Sequence, residues 1–210
     1  MEQAEKPERG WRGSPDLWLD AGYEALITGG VEAVKVLPLA QRLGLSRTSF
    51  YHHFPDREAL LAALLARWQA KNTANLIAQT RAYAETIAEA MLNIIDCWLR
   101  ADLFDSRMEF AVRMWGLTSP DLTRTLADED EARMDALRAM FARFGFDPTQ
   151  ADTRTRAVYL TQIGYIVLRT DEPLDLRLSR IPAYTETFTG LAPTPAELAR
   201  FRARHLGTDG

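Results

Sequence analysis

The side chains best suited to chemistry lie within one short segment of the 210-residue chain. From Arg47 to His53 the sequence reads Arg-Thr-Ser-Phe-Tyr-His-His, and Lys35 and Arg57 flank this run. Guanidinium, ammonium, hydroxyl and imidazole groups this close together can donate hydrogen bonds to phosphate oxygens and to the edges of bases. The candidate nucleic-acid contacts are therefore Lys35, Arg47, Thr48, Ser49, Tyr51, His52, His53 and Arg57.

The charge of this segment differs from that of the whole chain. The formal net charge of the chain is −4, which by itself argues against a nucleic-acid partner. Between Lys35 and Arg57, however, four basic residues against one acidic residue, Asp56, leave a charge of +3 before the two histidines are counted. Affinity for DNA follows the charge of the docking face rather than the average over the chain. The composition is therefore compatible with DNA binding.

Two short helices are predicted ahead of this run. Ser14-Pro15-Asp16 combines an N-cap residue, a proline at the first helical position and a carboxylate in the first turn. Gly29-Gly30 provides the exit of that helix, because glycine readily takes the left-handed conformation found there. A second helix is predicted over 37–43, where Pro38 suits the first turn.

A third helix, over 47–53, carries most of the candidate contacts. Gly44 permits a tight turn before it, and Ser46 is placed to cap it. Phe50 and Phe54 are four residues apart and should face inward, which leaves the polar residues of the run on or near the outward side. The segment 35–54 therefore has the pattern of a helix-turn-helix.

This block resembles the DNA-binding region of the tetracycline-repressor (TetR) family of bacterial regulators. The resemblance covers about residues 14–62. It is carried by Gly29-Gly30-Val31, Leu39-Ala40, Gly44-Leu45-Ser46, and above all Ser49-Phe50-Tyr51-His52-His53-Phe54 with Asp56-Arg57-Glu58-Ala59-Leu60-Leu61. The remainder of the chain is similar to the family in helix number and length only.

The resemblance implies a role for each polar residue of the block. In the family the third helix enters the major groove, so Arg47, Thr48 and Ser49 are expected near bases, and arginine can grip guanine at two points. The matching phosphate contacts are Tyr51, His53 and Arg57. The second helix departs from the family pattern, since Lys35-Val36-Leu37-Pro38 replaces the usual polar residues. We therefore expect Lys35 to contact a phosphate and the second helix to read no base. Tyr51 could instead be a packing residue, and the three-helix head could be purely structural.

The rest of the sequence also predicts helices, so the expected fold class is all-α. Ser119-Pro120-Asp121, Asp147-Pro148 and the capping-box spacing of Thr194 and Glu197 mark helix starts. The pattern indicates a flexible tail over 1–13, a helix-turn-helix domain over 14–60, and a larger helical effector-binding and dimerisation domain over 61–210. Arg9 and Arg12 could form a minor-groove arm. The predicted helices are 15–28, 37–43, 47–53, 57–79, 83–100, 105–117, 120–144, 148–169, 175–189 and 195–205.

The helical body is expected to form a homodimer, because helix-turn-helix proteins gain affinity by placing two heads on one operator. The segment from Ala157 to Leu168 has too many apolar residues for one helix face. Burial within the subunit is the alternative explanation of that excess. The residues expected at the dimer interface are Tyr159, Ile163, Gly164 and Val167.

An effector pocket is expected between helices of the body, lined by apolar side chains with a few polar anchors. The expected effector is a small apolar ligand. Large or soft side chains available to line the pocket are Trp68, Met91, Cys97, Trp98, Met108, Met114 and Trp115, although each could simply be core. Arg113 is expected to pair with Asp96 or Asp102, and the acidic run 128–131 is expected to be a solvated helix face.

Other functional classes have less support in the sequence. The chain shows no glycine-rich phosphate loop and no metal-ligand spacing, so no cofactor and no metal are expected, and an enzyme built on the helical body is a weaker alternative. A DNA-organising protein without an effector is another alternative. The polar start, the single cysteine Cys97 and the absence of a long apolar run favour a cytoplasmic protein with no membrane partner.

Overall fold

The computed structural model describes residues 13–206, and every regular element in that range is helical. The predicted all-α class is therefore confirmed. The chain divides into two compact units, Met1–Arg67 and Trp68–Gly210, whereas the sequence suggested a boundary at residue 60. Except for Gly13, the predicted tail with Arg9 and Arg12 lies outside the described residues.

The first unit contains three short helices and the start of a longer one. Ser14 caps the first helix by accepting a hydrogen bond from the Leu17 amide at 3.2 Å, and Gly44 has the left-handed φ of 65° that the predicted turn requires. The elements are α1 (Pro15–Gly29), a 3₁₀ turn (Val31–Ala33), α2 (Val36–Leu43), α3 (Arg47–His53) and α4 (Arg57–Trp68).

The core of the first unit holds α3 against α1. Phe50 of α3 is fully buried, and its ring meets that of Trp18 edge-on with centroids 5.3 Å apart. Gly22 allows α1 and α4 to approach closely, because a Cβ there would lie 3.3 Å from a methyl of Leu60. The buried face of α3 is thereby fixed, and its opposite face is left to solvent.

The second unit contains the remaining helices. Its elements are a π-helical turn (Gln69–Thr73), α5 (Ala74–Arg81), α6 (Ile87–Leu99), α7 (Ser106–Gly116), α8 (Pro120–Arg143), α9 (Pro148–Val167), α10 (Leu174–Thr189) and α11 (Pro195–Leu206). The capping box before α11 forms as its spacing predicts: the Thr194 amide donates to the Glu197 carboxylate at 2.6 Å, and the Glu197 amide donates to the Thr194 hydroxyl at 3.3 Å.

The π-helical turn is the main departure from the predicted helices. The sequence suggested an uninterrupted helix over 57–79, and that prediction is wrong at Gln69–Thr73. The Asn72 amide group donates to the Asp105 carbonyl at 3.1 Å, and its oxygen accepts from the Asp105 amide at 2.9 Å. An extra residue in one turn places Asn72 and Thr73 in the interior.

The second unit packs around one large apolar cluster and one smaller one. The larger cluster draws on α5 to α10 and includes Met91, Trp98, Phe141, Val158 and Phe188. The smaller cluster lies between α6, α10 and α11, where Leu92, Leu178, Ile181 and Phe201 meet.

Candidate nucleic-acid interface and ligand cleft

The outward face of α3 presents a compact set of donors. Arg47, Thr48, Tyr51 and His52 are exposed, and Tyr51 keeps 48% of its surface accessible while its ring touches Phe50 edge-on. Lys35, the N-cap residue of α2, is also exposed. The geometry suits contacts to a groove and its phosphates.

Two of the predicted contacts on α3 do not face fully outward. Ser49 is only 5% exposed, so its predicted outward orientation is wrong; its amide donates at 3.2 Å to the hydroxyl of Ser46, the residue that caps α3. His53 is half-buried, and its ring lies 5.0 Å from that of His52. Adjacent residues of a helix point about 100° apart, so the buried side of α3 is wide enough to include Ser49 beside Phe50, and His53, four residues after Ser49, lies at its edge.

The side chain of Arg57 makes hydrogen bonds within the first unit. Its Nε donates to the Val34 carbonyl at 2.6 Å, and its Nη2 donates to the Val31 carbonyl at 2.7 Å. The remaining Nη1 lies 3.7 Å from the Glu58 carboxylate. Arg57 therefore holds the 3₁₀ turn ahead of α2 in place. The resemblance also implies that Arg57 contacts a phosphate, and this contact, through Nη1, stays a prediction.

Metal and membrane features are absent from the part of the chain that the structure describes. Within residues 13–206, no group of three or more His, Cys, Asp or Glu is arranged to hold a metal ion. None of the helices in this range combines the length and apolar character needed to cross a bilayer.

The second unit contains a buried carboxylate at the centre of a polar network. Glu109 of α7 is fully buried, and its Oε2 accepts from the indole of Trp68 at 2.6 Å and from the Asn72 amide at 2.8 Å. Its Oε1 accepts from Arg113 and from Arg133, each at 2.9 Å. Burial alone would raise the pKa of Glu109, but the two guanidinium groups outweigh it and hold the pKa below its ordinary value.

Arg133 of α8 is equally buried and is held from several sides. Its Nε donates to the Thr73 hydroxyl at 2.8 Å, its Nη1 reaches the Tyr159 hydroxyl at 3.2 Å, and its guanidinium stacks over the Trp68 ring. Burial opposes its charge, but the adjacent Glu109 carboxylate raises the pKa of Arg133 above its usual value. Tyr159 in turn donates to Asp130 at 2.6 Å.

These contacts correct two predictions about charged residues. Arg113 pairs with Glu109 and, through two hydrogen bonds of 3.0 and 2.6 Å, with Asp130; the predicted pairing with Asp96 or Asp102 is wrong. The acidic run 128–131 is only partly a solvated face, because Asp130 belongs to this network and Glu129 accepts from Gln69 at 2.8 Å.

A separate cleft lies between α6, α9 and α10. Its empty volume is about 550 Å³, open solvent at the mouth included. Apolar side chains form much of the lining, and polar groups come from α9, from α10 and from the segment before α10. The lining residues are Ile95, Trp98, Leu99, Val158, Thr161, Gln162, Tyr165, Glu172, Arg177, Arg180, Ile181, Tyr184 and Phe188.

Of the residues predicted to line an effector pocket, Trp98 lines this cleft. Four of the others are buried in the interior: Trp68, Met91, Cys97 and Met108. The remaining two, Met114 and Trp115, are half-buried outside the lining. The prediction that these six residues line the pocket is therefore wrong for this cleft. The polar lining residues were not predicted from the sequence. The signal was Arg177, Arg180 and Tyr184 at helical spacing, in the stretch where Pro182 obscured the helix.

The candidate dimer residues of α9 are divided between interior and surface. Tyr159 is only 2% exposed within the subunit, so the prediction that it contacts a partner subunit is wrong. Ile163 packs partly against the large cluster. Val167 is exposed, and a Cβ added at Gly164 would meet no atom within 4 Å. The exposed Leu160, which the prediction left out, lies beside them.

Comparison with solved structures shows that the fold is shared over most of the chain. Mycobacterium smegmatis AmtR is 21% identical, with a TM-score of 0.63 and coverage of 96% of this chain and 98% of its own. A transcriptional regulator of the TerR/AcrR family from Aquifex aeolicus VF5 is 15% identical (TM-score 0.60), covering 85% and 96%. Salmonella enterica GusR is 15% identical (TM-score 0.59), covering 92% and 93%. No curated protein sequence matches the chain at a significant level.

A family model agrees with the helix-turn-helix geometry. Residues 19–64 match the model described as "Bacterial regulatory proteins, tetR family", which includes α2, α3 and the start of α4. The resemblance noted from the sequence is thereby confirmed. Residues 19–64 are therefore similar to the DNA-binding region of the tetR family of bacterial regulatory proteins, and the chain as a whole shares the fold of AmtR, of the Aquifex aeolicus regulator and of GusR.

Proposed function

We propose that this protein is a homodimeric repressor that binds operator DNA in the cytoplasm and is released by a small molecule. The observation that carries the proposal is the outward face of α3. Arg47, Thr48, Tyr51 and His52 are exposed there, while the buried Phe50 fixes the helix from behind. Recognition of a DNA groove requires exposed hydrogen-bond donors on a helix that is held rigidly.

The roles of these side chains differ in ways that binding measurements can separate. Arg47 begins α3, where helix-turn-helix proteins contact base edges, and Lys35 is a point charge suited to a phosphate. Loss of a phosphate contact weakens all sequences alike, whereas loss of a base contact reduces discrimination.

Fluorescence anisotropy with DNA from upstream of the protein's own coding region tests this proposal. We expect Arg47→Ala to lose about 1–3 kcal/mol of preference for that DNA over a scrambled duplex. Lys35→Ala should weaken binding to both duplexes and reduce the slope of log K against log salt concentration by about one. Arg107→Ala, at an exposed arginine of α7, is the matched control. If the unmodified protein binds no DNA at low salt, the proposal fails.

The outer face of α9 is the proposed dimer contact. Leu160 and Leu168 are 57% and 79% exposed, and Gly164 between them leaves open space above the helix. Leu174 and Leu176, at the start of α10, are also exposed. Exposed apolar side chains around a glycine allow a second helix to approach closely, and two heads are needed for high operator affinity.

Sedimentation velocity tests the dimer contact. Leu160→Glu should convert a dimer into a monomer, since it places a charge in the contact. Leu117→Glu is the matched control, because Leu117 is 78% exposed but lies just after α7. A dimer that survives Leu160→Glu, or a monomeric unmodified protein, would contradict the proposal.

The cleft between α6, α9 and α10 is the proposed effector site. A ligand that binds one conformation better shifts the population toward it, and repression ends if that conformation binds DNA poorly. The test is operator affinity measured over a broad compound set. A regulator without an effector, the main alternative, predicts no change with any compound.

A further inference from the structure

We propose that the cleft between α6, α9 and α10 takes a single-ring aromatic carboxylate that also carries a hydroxyl group. The inference rests on the proposed function only in regarding this cleft as the effector site. It replaces the purely apolar ligand expected from the sequence. Three features of the cleft point to such a ligand: its apolar walls, two polar side chains with hydrogen-bonding groups that no described residue satisfies, and the charge of its lining.

The walls of the cleft suit a flat apolar group. Trp98 of α6, Val158 of α9, and Ile181 and Phe188 of α10 all line it, and each is at most 8% exposed. They belong to the two apolar clusters of the unit, so packing on their far sides holds them in place. An aromatic ring against such walls removes apolar surface from water with little rearrangement.

Gln162 provides the first polar requirement. It lines the cleft with only 9% of its surface exposed, and its side-chain amide makes no hydrogen bond to any residue of the described range 13–206. Neither polar atom of this amide is closed off from solvent, so a ligand that displaces water there must supply a hydrogen-bond partner in its place. A carboxylate or hydroxyl of a ligand would supply that partner.

Glu172 provides the second requirement. Its Oε1 accepts from Nη1 of Arg180 at 2.6 Å, but its Oε2 is buried without a hydrogen-bond partner. An ionised carboxylate oxygen can only accept, so the missing group is a donor. A phenolic hydroxyl on the ligand meets this requirement when the side chains that close Oε2 off from solvent move on binding, whereas a second carboxylate would be repelled.

The charge around the cleft calls for an anion. Arg177 and Arg180 contribute two positive charges and Glu172 one negative charge, which leaves +1. Arg180 is paired with Glu172, while Arg177 has no ion pair with any residue in the described range. A guanidinium binds a carboxylate through two parallel hydrogen bonds. Arg177 therefore favours a monoanion in the cleft.

Two tyrosines add a further donor. The hydroxyl groups of Tyr165 and Tyr184 lie 2.9 Å apart, so one of the two hydroxyl hydrogens serves that bond and the other remains to donate. The mutual hydrogen bond is the main cause that raises the pKa of Tyr184, which keeps this hydroxyl protonated. A neutral apolar ligand would leave all these groups unsatisfied, and a cation would face Arg177.

Isothermal titration with para-hydroxybenzoate, and with para-hydroxybenzamide as its neutral analogue, tests the inference. We expect the carboxylate to bind at least about tenfold more tightly than the amide, the difference that one charge-assisted hydrogen bond makes. Arg177→Gln should remove this preference, weakening the carboxylate about tenfold while leaving the amide unchanged. Arg107→Gln, an exposed arginine remote from the lining, should change neither.

Gln162→Leu is the second variant, and circular dichroism shows whether each variant folds. Weaker binding of both ligands to Gln162→Leu supports the site. Equal affinity for carboxylate and amide, unchanged binding to Arg177→Gln, or no heat of binding up to millimolar ligand would overturn the inference. Operator binding is measured on the same samples: if DNA binds and the probe does not, only the inference fails, and if the probe binds and DNA does not, only the proposed function fails.

Discussion

Replacing Glu109 by glutamine should expose how much of the second unit depends on one buried anion. Glutamine keeps the size of the side chain but removes the charge that faces Arg113 and Arg133. Its amide nitrogen would also confront two hydrogen-bond donors where a carboxylate oxygen now accepts. The variant therefore changes the electrostatics of the network with little change in volume.

The structure allows the size of the effect to be worked out. Asp130 can still neutralise Arg113, through two hydrogen bonds. Arg133 has no other ion pair in the described residues, and its Nη2 already lacks a partner. Breaking a buried ion pair by removing one member costs about 3–5 kcal/mol, a large part of the 5–15 kcal/mol that stabilises a typical domain. We expect Glu109→Gln to lose an amount in that range.

Urea denaturation at pH 7, followed by far-ultraviolet circular dichroism, measures this loss. Asp121→Asn is the control, since its ion pair with Arg124 is exposed and should contribute no more than about 1 kcal/mol. Combining Glu109→Gln with Arg133→Met should restore part of the stability, because the uncompensated charge then disappears. A loss below about 1 kcal/mol for Glu109→Gln, or strictly additive losses in the double variant, would refute the reasoning.

Three further predictions follow from buried polar groups. The folded-state pKa of Glu109 is lowered, so the stability that its charge contributes is fully present above the unfolded-state pKa and is lost as pH falls through the folded-state pKa. Acid titrations should therefore show a smaller loss of stability below about pH 4 for Glu109→Gln than for the unmodified protein. Burial raises the pKa of Cys97 to about 12, so Ellman's reagent at pH 8 should label it only as fast as the chain unfolds, and immediate labelling of the folded protein would contradict its burial. Arg57→Met should lower the stability of the first unit by about 1–3 kcal/mol, because it leaves the Val34 carbonyl unpaired and removes one of the two hydrogen bonds to the Val31 carbonyl; loss of DNA affinity with unchanged melting would show a phosphate contact instead.

The sequence was most informative where local rules act alone. Capping residues and turn glycines depend on neighbours a few positions away, so the starts of α1, α3 and α11 could be predicted from Ser14, Ser46 and Thr194. The direction of Arg57 was harder, because its carbonyl partners lie more than twenty residues earlier in the chain. Local pattern says that a side chain is polar, but only the fold says which distant group it meets.

The π-helical turn illustrates the same limit within one helix. The apolar period of the segment 57–79 predicts a continuous helix, and Asn72 and Thr73 would be unremarkable on its surface. In the folded chain Asn72 binds both Asp105 and Glu109, and Thr73 accepts from Arg133. The hydrogen bonds that justify the extra residue come from α8 and from the start of α7, so nothing in the local sequence announces it.

Helix α9 shows why its apolar excess could not be assigned from the sequence. Tyr159 faces the buried network, Val158 and Gln162 line the cleft, and Leu160 and Gly164 lie on the open surface. Burial within the subunit and an exposed contact face are therefore both present, on different sides of the same helix. A helix with one apolar face shows a regular hydrophobic period in its sequence. On α9, three faces lie in three different environments, so the sequence shows no such period. Substitutions at 159, 160 and 162 should accordingly affect stability, association and ligand binding separately, although these positions lie within one turn.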